Sequence, residues 1–330
     1  MSYQIYELKL KPLSPWISDL TADTIFGHLC WQIKYEFWKE VLEEFLKEMA
    51  IKPIFTISDF LPVEEVNKPC FDFDLLTFWN KENHEKVKHY KKIDYISEKS
   101  LAEISNLDWV NENNINDIRN YILWNNYNIN KYDFWYKKSS YFDETIENKN
   151  NINRNTWTTS DNWIYSQSSK YSTREFRLLL KNISKKNLEN YNINWKELNI
   201  FALIENIFNL YWFWKKKSNW KWLFEIINKF QEKSFWLEKD KYLLTLSSFI
   251  PSEKDSTKWN YKILTKFPKM WEEFSSEWQN FYKKPMIMIG EWATFEKWKN
   301  YEWYVWKMLD NSAINRENIY HYSYWFTLEF

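Results

Sequence analysis

The stretch WKELNIFALIENIFNLYWFWKKKSNWKWLFEIINKF, residues 195–230, decides how this chain is read. Its first half predicts a helix over 195–211, because Ile200, Leu203, Ile204, Ile207 and Tyr211 recur at helical spacing and make one apolar stripe. Its end, LFEIINKF at 223–230, predicts a strand. Between them, over residues 211–224, Trp212, Trp214, Trp220 and Trp222 alternate with Lys215, Lys216, Lys217, Ser218, Asn219 and Lys221. Four indoles, each bringing roughly 150–250 Å² of mostly apolar surface, belong in a core or an interface. The residues around them are cationic and turn-forming. With glycine in place of each of these tryptophans the segment becomes a basic glycine-rich loop, whose amides can approach phosphates and whose lysines supply counter-charge.

Composition supports that substitution. The 330 residues include 23 tryptophans and only two glycines, Gly27 and Gly290; together these 25 make about 7.6% of the chain, close to the roughly 7% glycine of ordinary proteins. A gene from a lineage that reads UGA as glycine, translated under a code that reads UGA as tryptophan, produces this pattern. Most tryptophans are therefore read as glycine, while Trp31, Trp109, Trp135 and Trp195 fit apolar or helical contexts and are read as genuine. The literal alternative is a Trp-rich structural or carbohydrate-binding protein, with its indoles lined up on one exposed sheet face.

Working outward, YQIYELKL at 3–10 predicts a strand. A helix follows, which Thr21 or Asp23 can cap, with Ile25, Phe26, Leu29, Ile33 and Phe37 on one face. Trp38 read as glycine breaks or bends it before Val41, Leu42, Phe45, Leu46 and Met49 resume the pattern. PIFTISDF at 53–60 is a second strand. From about 80 to 150 the sequence turns to Asn, Lys, Tyr and Glu with weak periodicity, which predicts a polar insertion with some helix and no core role. TREFRLLLKNI at 173–183 is a third strand, with Phe176, Leu178 and Leu180 on one side. Strand, helix, strand, insertion, strand, helix, basic loop and strand make a βαββαβ order, the ferredoxin-like arrangement. Such a sheet is expected to cover one face with helices and to leave the other open, as RRM-like RNA-binding modules do. Five further strand candidates, at 242–250, 261–267, 285–290, 301–308 and 321–330, predict a second, degenerate, strand-rich domain. The expectation is an α+β chain of two ferredoxin-like domains, 1–232 and 233–330.

Forty-five basic and 45 acidic residues balance, so polyanion binding must come from a local patch. Cys30 and Cys70 offer no disulfide framework or metal-ligand cluster and fit a reduced compartment. No signal core and no run of 18 apolar residues appear, so a cytoplasmic protein away from membranes is expected.

Four stretches in order resemble the RAMP superfamily of CRISPR effector proteins, and within it the fourth Csm subunit of type III-A complexes. They are LTADTIFGHLCW (20–31), NINRNTWTTSDNWIY (151–165, with Trp157 and Trp163 read as glycine), the lysine loop, and IGEWATFEKWKNYEWYVW (289–306) with HYSYWFTLEF (321–330). The resemblance implies an RNA-binding subunit that caps the 5′ repeat-derived handle of the crRNA in antiviral defence. It also implies contact with the large polymerase-like subunit and the backbone RAMP subunit, with no enzymatic activity and no cofactor.

The residues that would carry RNA binding are the lysine loop, including its tryptophan positions, and Asn153, Arg154 and Asn155, whose arginine can fork onto a phosphate or base edge. The competing reading is a RAMP endoribonuclease that processes repeat RNA, with His28, near Lys34 or Tyr35, as its acid or base. His84 and His89 have no cysteine neighbours and predict no metal site. His321 is expected to face solvent or RNA, and helix capping explains Asp19 and Asp23.

Overall fold

The computed structural model describes residues 3–17, 19–70, 93–105, 143–152, 159–209, 223–235, 237, 242–251, 261–268, 283–296, 308 and 320–330. Strand β1 (Ile5–Pro12) leads into helix α1 (Ala22–Ile51) and three short strands, β2 (Phe55–Ile57), β3 (Leu61–Pro62) and β4 (Glu65–Asn67). Strand β5 (Tyr95–Ser97) runs into helix α2 (Glu98–Ser105), and two long strands follow, β6 (Asp143–Ile152) and β7 (Thr159–Tyr171). Then come β8 (Phe176–Asn182), the short pair β9 (Tyr191–Ile193) and β10 (Lys196–Leu198), helix α3 (Ile200–Asn209) and β11 (Phe224–Glu232). The remainder contributes β12 (Tyr242–Thr245), β13 (Ile263–Lys266), β14 (Met286–Ile289), β15 (Thr294–Glu296) and β16 (Thr327–Glu329). Helices and antiparallel sheets share the chain, an α+β architecture.

The central sheet is antiparallel in the order β11-β1-β8-β2, with β3 also pairing β8. Numbered along the βαββαβ run this is fourth, first, third, second, with α1 and α3 as the two helical connections. Pairing of Leu8 with Leu178 and Leu10 with Phe176 puts these side chains on one face. There they share a buried cluster with Ile25, Phe26, Leu29, Ile33, Phe45 and Met49 of α1 and with Ile200, Leu203, Ile204 and Ile207 of α3. The described residues of the stripes read from the sequence are the ones that pack; Tyr211 lies outside the described residues.

The other face is not open, contrary to expectation. Leu179 lies in a second buried cluster with Tyr242, Leu244, Leu246, Phe326, Leu328 and Phe330 from the C-terminal part of the chain. Strands β15-β12-β16 form the sheet that supplies most of this cover. Ile96, Leu101 and Ile104 of β5 and α2 join the same cluster, so part of the presumed polar insertion is core. Polar side chains on this face find partners inside the fold. Arg177 is fully buried and donates to Glu7 Oε1 at 3.0 Å, to Glu98 Oε1 and to the Glu65 carbonyl at 2.6 Å. Lys181, also buried, donates to the carbonyl and hydroxyl of Thr327 in β16.

Helix α1 contains one non-helical residue, Trp38, at φ 73° and ψ 172°. This is the break expected there if the position is glycine. Trp195, read from sequence as a genuine tryptophan inside a helix, sits instead in the two-residue turn between β9 and β10. Asn194 and Trp195 both have positive φ, 47° and 63°, and Ile193 pairs with Lys196. A two-residue hairpin loop of this kind is a type I′ turn, for which Asn-Gly is the preferred pair. The helix therefore starts at Ile200, later than predicted, and the polar residues before it form a hairpin.

Removing one partner from a buried ionic network costs about 3–5 kcal/mol, because the opposing charges stay buried. Arg177→Ala should lose about that much in urea denaturation. Lys233→Ala, which removes a part-exposed partner of Glu98, should lose less than about 1 kcal/mol.

Candidate nucleic-acid interface

Asn153, Arg154 and Asn155 fall in 153–158, the connection between β6 and β7, and lie outside the described residues. Trp212, Trp214, Lys215, Lys216, Lys217, Ser218, Asn219, Trp220, Lys221 and Trp222 fall in 210–222, the connection from α3 to β11, and lie outside them as well. The structure describes where both segments leave the fold.

The lysine segment leaves beside the base of the β6–β7 hairpin, and 153–158 is carried at that hairpin's far end. Leu223, where the chain returns from the lysine segment, accepts the Leu13 amide at 2.8 Å and donates its own amide to Ser14 Oγ at 2.8 Å. Two residues on, Trp16 exchanges both backbone hydrogen bonds with Lys170 of β7, at 2.7 and 2.8 Å. The Lys170 ammonium also pairs with Asp19. Beneath this strap the Trp16 ring, buried in the core, meets Phe176 at 6.1 Å and Phe224 at 6.0 Å, the first residues of β8 and β11, so Trp16 packs as a tryptophan although it is not among the four read as genuine. Residues 13–19 thus fasten the root of the lysine segment to the base of the β6–β7 hairpin. Capping alone does not explain Asp19, which ties the hairpin down.

The hairpin is long and polar. Its strands, DETIENKNNI and TSDNWIYSQSSKY, pair in register from Asp143–Tyr171 to Asn150–Ile164 and again at Ile152–Thr159. At about 3.3 Å per residue, the arms span roughly 30–40 Å. Near its base Thr145 Oγ1 and Ser169 Oγ lie 2.9 Å apart across the strands, while Ile146, Ser166, Ser168 and Tyr171 are exposed. An isolated two-stranded ribbon is marginal in water, and a sequence this polar has little apolar surface to offer. It is suited to a polar, charged partner.

His28 faces inward from α1 and is buried among core residues. Burial pushes its pKa down to about 4. Lys34 and Tyr35, considered as its partners, instead pack on Trp31, at 4.5 and 5.8 Å from its ring. His321, expected at the surface, is also buried, and its pKa too is pushed down to about 4, by burial foremost. His84 and His89 lie outside the described residues.

A buried polar cluster at the start of α1 escaped sequence reading. Asp59 Oδ1 accepts the Ala22 amide at 2.6 Å and so caps the helix from a distant loop. Thr21 occupies the N-cap position, but its hydroxyl bonds Asp23 Oδ1 at 2.6 Å. Lys266 of β13 reaches Asp23 Oδ1 at 2.6 Å. Burial opposes ionisation of Asp23, yet Lys266 and His321 hold its carboxyl below the usual range. Burial, with Glu291 nearby, raises the Asp59 carboxyl. No sequence signal joins residues more than 200 positions apart. Among the described residues no group of three or more His, Cys, Asp or Glu side chains is placed to hold a metal ion, and no helix is long and apolar enough to cross a membrane.

No family model matches the sequence, and no curated protein resembles it. Solved structures do. A chain of the Csm1–Csm4 cassette crystallised with pppApA superposes with a TM-score of 0.56 at 15% identity, over 99% of this chain and 97% of that one. The cassette crystallised with cA4 gives a TM-score of 0.57 at 15% identity over the same shares. The Csm3–Csm4 subcomplex of the type III-A CRISPR-Cas interference complex gives 0.57 at 14% identity, over 99% of both chains. Csm4 is the subunit common to these assemblies, and the likeness is one of fold.

Between pH 6.5 and 4 the unfolded chain binds protons at His28 and His321 that the fold refuses, so this pair's contribution to stability is lost as pH falls through that window. Asp59 and Glu291, held up by burial, act in the opposite direction. Comparison with a His28→Gln, His321→Gln double variant isolates the histidines. From pH 6.5 to 4, the wild type should lose about 1–3 kcal/mol per histidine more than the variant in urea midpoints.

Proposed function

We propose that this chain is the Csm4-like, RNA-binding subunit of a type III-A CRISPR-Cas interference complex, which caps the 5′ repeat-derived handle of the crRNA in antiviral defence. The observation that carries the reading is the likeness to Csm4 over 99% of both chains in the Csm3–Csm4 subcomplex. The common rooting of the lysine segment and the β6–β7 hairpin adds to it, because one strand of RNA can then meet both. Lys215, Lys216, Lys217 and Lys221 would neutralise phosphates, Ser218 and Asn219 would donate to phosphate or sugar, and Arg154 with its flanking asparagines would add a forked contact.

In this reading the chain consists of two ferredoxin-like domains, 1–232 and 233–330, the second of them degenerate. It bridges the large polymerase-like subunit to the backbone RAMP subunit, and it works in the cytoplasm without a cofactor. It binds and does not cut: His28 is enclosed, and its low pKa leaves little imidazolium at neutral pH to act as an acid.

Replacing Lys215, Lys216 and Lys217 together by alanine should weaken binding of 5′-handle RNA in fluorescence anisotropy. It should also flatten the dependence of log K on log salt by about 2, at roughly 0.7 per phosphate contact on a single strand. Unchanged affinity and slope would remove the lysine segment from the interface. Repeat RNA incubated with the wild type should stay intact. Cleavage that His28→Ala abolishes would make the chain an endoribonuclease.

A further inference from the structure

Six non-glycine residues among the described ones adopt positive φ, and three of them are tryptophans: Trp38 at 73°, Trp195 at 63° and Trp292 at 84°. A bulky side chain in this region is disfavoured by contact of its Cβ with the backbone, and tryptophan has none of the local hydrogen-bonding ability that lets asparagine or aspartate tolerate it. Neither of the two glycines has positive φ. The conformations that call for glycine fall on tryptophan positions, and the two positions written as glycine do not need it for that reason.

Each of the three sites is fixed by its surroundings. At Trp38 the combination of φ 73° with ψ 172° belongs to a region that is essentially reserved for glycine. The ring there stands 76% exposed, on a helix that resumes its buried stripe with Val41, Phe45 and Met49. At Trp195 the ring is fully exposed, and the turn is the type I′ form whose second residue is preferentially glycine after asparagine. At Trp292 both backbone groups are engaged. The amide donates to the Thr245 carbonyl at 3.1 Å and the carbonyl accepts the Cys70 amide at 3.0 Å, so the chain cannot relax to negative φ without giving up these contacts. Trp292 does carry the Lys262 ammonium 4.4 Å over its ring, but Trp31 differs from all three in its backbone. It lies inside helical backbone, stacks on Tyr35 and takes Lys34 over its face.

We infer that positions 38, 195 and 292 are glycine in the protein as its own cells make it, inserted at UGA codons, and that position 31 is tryptophan. Composition states only that glycine is missing from the chain as a whole. Backbone conformation assigns it site by site, and it reverses the assignment that sequence context gave to position 195. The assignment is independent of RNA binding.

Two measurements test it. Peptide mass spectrometry of the protein from its native cells, read beside the gene, should find glycine and UGA at 38, 195 and 292, and tryptophan and UGG at 31. Tryptophan at any of the first three, or glycine at 31, overturns the assignment. In recombinant protein, Trp38→Gly, Trp195→Gly and Trp292→Gly should each raise the thermal midpoint, by about 2–4 °C, since roughly 1 kcal/mol or more of backbone strain is relieved. Trp31→Gly should lower it, because glycine weakens a helix interior and the ring contacts go. If the three substitutions lower the midpoint as Trp31→Gly does, the inference fails.

Discussion

Arg177 lies fully buried on the far face of the central sheet, and much of the architecture can be understood as what that burial requires. A guanidinium taken out of water needs partners on more than one side, and the chain brings them from widely separated places: Glu7 from the neighbouring strand, Glu98 from the start of α2, and the Glu65 carbonyl from β4. Lys181, four residues on along β8, likewise depends on Thr327 of the last strand. These contacts hold the C-terminal sheet and the α2 segment against a face that would otherwise be wet. Consequently neither face of the central sheet is open among the described residues, and the RNA contacts proposed for this chain fall to segments that project from the sheet's end.

At that end, hydrogen bonds and an ion pair of residues 13–19 fasten the hairpin base and the start of β11 together. Trp16 fills the space below them, against Phe176 and Phe224. The buried cluster around Asp23, Asp59 and Lys266 lies at the start of α1, a few residues further along the chain, and joins it to β13. A polar ribbon of two strands and a lysine-rich connection therefore start from one rigid base. Preorganisation of this kind lowers the ordering entropy that a strand of RNA would otherwise have to overcome.

Much of the near face of the sheet was legible in the sequence, because its elements are amphipathic in the ordinary way. The stripes of α1 and α3 and the alternation of Phe176, Leu178 and Leu180 each identify a buried side, and Trp38 marked the helix break. The far face was not legible. Its polar alternation reads as solvent exposure unless the partners of Arg177 and Lys181 are known, and those partners are tens to hundreds of residues away. Residues 93–105 were hidden in a polar neighbourhood, although Ile96, Leu101 and Ile104 are core. Trp195 misled because it precedes a helical pattern, whereas its backbone serves a hairpin turn. Of the candidate site, sequence supplied the lysines and the Asn-Arg-Asn cluster; the rooting of the lysine segment beside the base of the hairpin that carries this cluster depends on strand pairing that sequence does not reveal.

The central claim is that RNA meets this chain along the β6–β7 hairpin and the lysine segment, and not on a sheet face. Ultraviolet crosslinking of the protein to a 5′-handle RNA, followed by peptide mapping, tests it most directly. The account predicts crosslinks in peptides containing residues 153–155 and 212–222. Crosslinks confined to the exposed β13–β14 ladder, around Ile263 and Ile287, would contradict it.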